Sequence, residues 1–100
     1  MQNSALLRTA AIAAVKNSDW TTAVQINQEI LSKFPKDLSA MNRLGLAYLK
    51  IGQEKEAKKI FKQVIELDRS NIIANKHLNN IKNKEQTPDI IFNAEADFIE

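Results

Sequence analysis

The feature that most constrains this chain is a pattern that occurs twice at a fixed offset. Residues 38–71 carry Ala40, Leu44, Gly45, Tyr48, Gly52, Ala57, Phe61, Val64 and Ile65 at helical spacings. A shift of 34 residues lays a more worn copy over them: Leu7 falls on Met41, Ala14 on Tyr48, Ala23 on Ala57, Ile30 on Val64 and Leu31 on Ile65. A unit of this length cannot bury its apolar face alone, so its copies must stack. The functional question then moves from which residues react to what lies against the exposed faces.

The helix signals are local. Leu7, Ala10, Ala11 and Ala14 recur at the helical period, with Ser4 placed to cap their start. Asn17, Ser18 and Asp19 break that pattern, and Ser18 or Asp19 can cap a second helix from about Trp20 to Lys33. Pro35 ends it, because a residue before proline disfavours helix. Asp37 caps a third helix over about Leu38–Ile51, and Gly52 supplies the positive φ that a helix C-terminus favours. A fourth runs from about Gln53 to Leu67, and Ser70 or Asn71 caps a fifth from about Ile72 to Lys84. Connections this short force antiparallel hairpins.

Composition excludes several classes. Two Gly and two Pro in 100 residues favour helix, and the absence of Cys removes disulfides and thiolate metal sites. No apolar run is long enough to span a bilayer, and no basic leader opens the chain, so a cytoplasmic protein is expected. All 14 Lys and Arg lie at or before residue 84, whereas the last 12 residues hold Asp89, Glu95, Asp97 and Glu100 and no base. A basic body thus precedes an acidic tail.

The period, with two helices per unit, resembles the tetratricopeptide repeat. In the second unit Leu44, Gly45, Tyr48, Ala57 and Phe61 stand at that family's offsets, with Met41 where Trp is usual and Arg69 in place of the closing Pro. Pro35 keeps that place in the first unit, where Ala11 replaces the glycine and Asn27 the phenylalanine. The resemblance implies an all-α fold: two helix-turn-helix repeats, about 4–37 and 38–71, plus a C-terminal capping helix at about 72–84. Together, 4–84 would form a right-handed α-solenoid fragment. The third unit keeps Ala74, Leu78 and Ile81 facing inward but has Asn75, Asn79 and Lys82 where a partner helix should pack. A polar outer face is what a terminal helix needs. Residues 85–100 form the acidic tail. Thr87 and Pro88 can start another helix there, although Glu95 interrupts its Ile91–Phe98 face, and an extended course is the alternative.

Chemistry has little to hold it. His77 is the only histidine, so it reads as a helix-surface or semi-buried residue and not a ligand. No nucleophile, phosphate-loop or dinucleotide motif appears. Trp20 reads as a packing residue. Lys55, Lys58, Lys59 and Lys62 read as a solvated convex face and not as a nucleic-acid site, because acids interrupt them and they lack exposed aromatics to stack bases.

The resemblance places a concave groove on the first helix of each unit. Its lining would be Ala5, Arg8, Ile12 and Lys16; Ser39, Asn42, Leu46, Leu49 and Lys50; and Ile73, Lys76 and Asn80. This mixture of apolar and basic side chains suits a peptide with acids and bulky apolar anchors. Some family members clamp a carboxylate terminus there. Here Arg8 fits that clamp, but Ile12 and Arg43 replace its asparagines, and Ile73 and His77 replace its Lys and Arg. That clamp is not expected. The expectation is therefore a non-enzymatic protein-binding module without cofactor or metal, whose partner is a protein or peptide and not nucleic acid or membrane. The tail's Ile90, Ile91, Phe92, Phe98 and Ile99 are candidates for docking in a groove, in cis or from a second copy. The alternative is a self-associating scaffold fragment, for which Leu6 and Ile12 lie off the first helix's packing stripe.

Overall fold

Helix boundaries in this chain follow the caps. The computed structural model describes residues 4–83, and what the sequence suggests for residues 84–100 lies outside them. The helices are α1 (Ser4–Lys16), α2 (Trp20–Lys33), α3 (Leu38–Lys50) and α4 (Glu54–Leu67), with α5 described over 72–83. Among the described residues there is no strand. Ser4 already lies inside α1, Ile51 caps α3 instead of extending it, and Gln53 precedes α4 without a side-chain capping bond.

The ends of the helices repeat with the sequence period. Asp37 Oδ1 accepts from the Ala40 amide at 3.0 Å, and Asn71 Oδ1 accepts from the Ala74 amide at 3.0 Å. Each satisfies one of the amides that a helix start leaves open. Asp19 does the same for Thr22 at 3.3 Å. The α3 C-terminus closes through Gly52, at φ +84°, with the Gln53 amide donating to the Tyr48 carbonyl at 2.8 Å. One repeat earlier Ser18 takes the same turn at φ +57°, and the Asp19 amide donates to the Ala14 carbonyl at 2.8 Å. These are paired 6→1 and 5→2 closures, with the left-handed residue just past the helix.

Three clusters make the core. Leu7, Ala11, Ile30 and Ala40 form one, Ala14, Ala23 and Ala47 a second, and Met41, Ala57, Phe61, Val64 and Ala74 the third. Ala10, expected on the α1 stripe, is exposed. Phe61 is fully buried, which stabilises the fold by roughly 1.5–3 kcal/mol. Its ring lies over Gly45, where a Cβ would approach the ring atoms to 2.5–2.9 Å. Glycine at 45 is therefore matched to the large ring at 61. In the first unit the smaller Asn27 leaves room for Ala11, and both are fully buried.

Candidate functional site

The groove is built from α3 and α5. Two adjoining cavities, of about 310 and 220 Å³, open along it. Leu46, Leu49, Lys50, Glu54, His77, Asn80 and Ile81 line the first. Ser39, Asn42, Arg43, Leu46, Ile73 and His77 line the second. Seven expected groove residues thus meet here: Ser39, Asn42, Leu46, Leu49, Lys50, Ile73 and Asn80. Ala5, Arg8, Ile12, Lys16 and Lys76 line neither cavity.

Arg8 is engaged elsewhere. Its Nη1 lies 2.6 Å from Asp37 Oδ2, an ion pair whose geometry is not that of a hydrogen bond, and its guanidinium sits 5.5 Å above the Phe34 ring. One repeat later, Asn42 Nδ2 donates to Asn71 Oδ1 at 3.3 Å. The two contacts are equivalent: a side chain on the first helix of one unit holds the cap of the next unit's first helix. Sequence position alone places Arg8 and Asn42 on the groove; their fold neighbours make them clasps between units. Asn42 does both, since its Oδ1 is buried on the groove floor without a hydrogen-bond partner among the described residues.

Arg43, Glu54, His77 and Ile81 line the groove although the sequence reading leaves them out of it. Arg43 Nε donates to Asn27 Oδ1 at 2.9 Å, and Asn27 Nδ2 donates to the Ala23 carbonyl at 2.8 Å. Burial pushes the Arg43 guanidinium below its ordinary pKa; Asp37 opposes this shift and Arg8 adds to it. Its Nη2 is buried without a hydrogen-bond partner among the described residues. One repeat on, the same two positions hold Phe61 and His77, whose rings stack with centroids 4.9 Å apart. Burial lowers the His77 pKa, and Lys76 and Lys50 lower it further, which favours the neutral ring. The signal for both residues was their offset: Arg43 and His77 are 34 apart, as are their partners Asn27 and Phe61.

Lys50 and Glu54 flank the first cavity and Arg43 the second, with Leu46, Leu49, Ile73 and Ile81 as the apolar lining. Lys50 Nζ lies 5.8 Å from the Trp20 ring centroid, which holds its charge beside the first cavity. Among the described residues no group of three or more His, Cys, Asp or Glu could hold a metal ion, and no helix is long and apolar enough to cross a membrane.

Stacked antiparallel helical hairpins with a groove along their first helices define the class: an all-α repeat array of the solenoid kind. Residues 38–71 match the family model described as Tetratricopeptide repeat. The chain carries a tetratricopeptide repeat at those positions, and such repeats are in general non-catalytic modules for protein interaction. Comparison with the curated proteins finds none that matches this chain.

Proposed function

We propose that the α3–α5 groove binds a peptide segment carrying acidic and bulky apolar side chains, without catalysis. One observation carries the reading: the two cavities share Leu46 and His77, so they form one continuous trough with apolar side chains along it, two bases, Lys50 and Arg43, and one acid, Glu54. Apolar anchors would bury against Leu46, Leu49, Ile73 and Ile81, and acids would meet Lys50 and Arg43. The unpartnered Asn42 Oδ1 and Arg43 Nη2 favour a ligand that brings its own backbone donors and acceptors.

The test is fluorescence anisotropy with a labelled ten-residue peptide alternating Glu with Leu and Phe, against a control with Lys for Glu. The expected result is saturable binding of the acidic probe that weakens with salt. Leu46→Asp should abolish binding, whereas Lys59→Glu on α4 should leave it unchanged. Equal binding of the basic control, or indifference to Leu46→Asp, refutes the reading.

Self-association is the second reading, favoured by Leu6 at 67% exposure and Ile12 at 44% on α1. Light scattering across a concentration series distinguishes it, because a peptide-binding monomer keeps one mass. Leu6→Glu should abolish any growth in mass if α1 is the contact.

A further inference from the structure

We propose that the chain's own acidic segment, residues 88–100, docks on the shelf between α4 and α5, on the far side of α5 from the groove. The shelf is a cavity of about 500 Å³ lined by Lys58, Lys62, Ile65, Asn75, Leu78, Asn79 and Lys82. Its floor is apolar through Ile65 and Leu78, both partly buried against the third core cluster. Its walls are amide and ammonium groups. Such a surface fits an occupant that is apolar on one side and acidic at defined points.

The repeat register says which points. In the first pair of units Gln28 Nε2 donates to the Tyr48 hydroxyl at 2.9 Å. One repeat later those positions are Lys62 and Lys82, both on the shelf. The shelf is thus lined by two cations at the positions where the preceding unit has a neutral hydrogen bond. An anion seated on the shelf is attracted by both.

The segment supplies that anion in matching spacing. The same shift carries Ala57, Phe61, Val64 and Ile65 onto Ile91, Glu95, Phe98 and Ile99. Phe61 lies on Gly45, and one repeat later those two positions in the sequence are Glu95 and Asn79, the latter lining the shelf with Lys82. The glutamate that interrupts the apolar face of the segment thus matches the polar patch that interrupts the apolar face of α5. Ile91, Phe98 and Ile99 are the apolar side chains the segment offers to a floor of Ile65 and Leu78. Four residues, 84–87, separate the last described residue of α5 from the segment, so only a short loop has to be closed. This assignment does not depend on the peptide reading of the groove.

The chain has no cysteine, which makes cross-linking clean. The full chain bearing Asn79→Cys and Glu95→Cys is treated with a short bis-maleimide, alongside a chain bearing Leu46→Cys and Glu95→Cys that reports docking in the groove. Helicity by circular dichroism confirms that both fold. The expected result is an intramolecular link in the 79/95 pair at least about tenfold faster than in the 46/95 pair, reflecting a high effective concentration at the shelf. Adding Lys62→Glu to the 79/95 chain should slow the link at low salt. Equal rates, a faster 46/95 link, or a predominantly intermolecular product overturns the proposal; the last outcome assigns the shelf to a second copy.

Discussion

Replacing Gly45 with alanine sets two effects of known size against each other. Gly45 lies within α3, where alanine is better than glycine by about 1 kcal/mol in intrinsic helix propensity. Were position 45 open, Gly45→Ala would stabilise the fold by that amount. It is not open: the new Cβ would stand 2.5, 2.7 and 2.9 Å from three Phe61 ring atoms. The ring cannot easily yield, because Phe61 is fully buried and stacks on His77. Forcing a methyl into such packing costs roughly 1–3 kcal/mol. The net expectation is destabilisation by about 1 kcal/mol, a fall in melting temperature of roughly 4–8 °C for a domain of this size. The decisive comparison is a double-mutant cycle by urea denaturation. In a Phe61→Leu background the methyl has room, and Gly45→Ala should stabilise by about 1 kcal/mol. The coupling between the two sites is then about 2 kcal/mol. Stabilisation of the parent chain by Gly45→Ala, or a coupling near zero, refutes the argument that the ring dictates the glycine.

Four further outcomes can be checked by the same denaturation assay. Asn27→Ala should cost roughly 1.5–3 kcal/mol, because it strips a charged donor on Arg43 of its partner, and much less in an Arg43→Ala background. Asp37→Ala should cost about 1–2 kcal/mol through loss of the α3 cap and release of Arg8, and more than Asp19→Ala, whose capping bond is longer and exposed. Ser18→Gly should stabilise by up to about 1 kcal/mol, since a left-handed turn costs an L side chain more than it costs glycine. His77 has a lowered pKa when folded, so below pH 6.5 the unfolded chain binds the proton first. Stability should therefore fall as pH drops from about 6.5 through the folded-state pKa, and His77→Phe, which keeps a ring on Phe61, should remove that component.

The period and the caps were legible in the sequence because they are local. Asp37, Asn71 and Gly52 act within a turn of their own helix, and the structure places them as the spacing predicts. The groove was only half legible. Leu46, Leu49, Lys50, Ile73 and Asn80 line it as expected, since they need only point outward from the first helices. Arg8 does not line either cavity, because its position is decided by Asp37, 29 residues away. Arg43 and His77 read as departures from a clamp, and His77 as surface or semi-buried, whereas their roles depend on Asn27 and Phe61, which belong to the preceding unit. What the period hides is the identity of the side chain across each unit boundary. The same pair of positions holds a hydrogen bond at one junction and a ring stack at the next.

The way the three core clusters divide has a consequence for how the chain assembles. Ala40 and Ala47 of α3 complete the clusters of α1 and α2, while Met41 of the same helix belongs to the cluster of α4 and α5. The repeated hairpin is therefore the unit of sequence but not the unit of folding. The smallest piece with a closed interior is three helices, and successive triplets share a helix. In a nearest-neighbour description of such arrays the shared helix counts toward two interfaces at once. Loss of α3 should thus unzip the array in both directions, whereas opening should begin at the outer helices and stop at α3. The helix that presents Leu46, Leu49 and Lys50 to the groove is the last to melt, so a ligand bound there meets its most rigid wall.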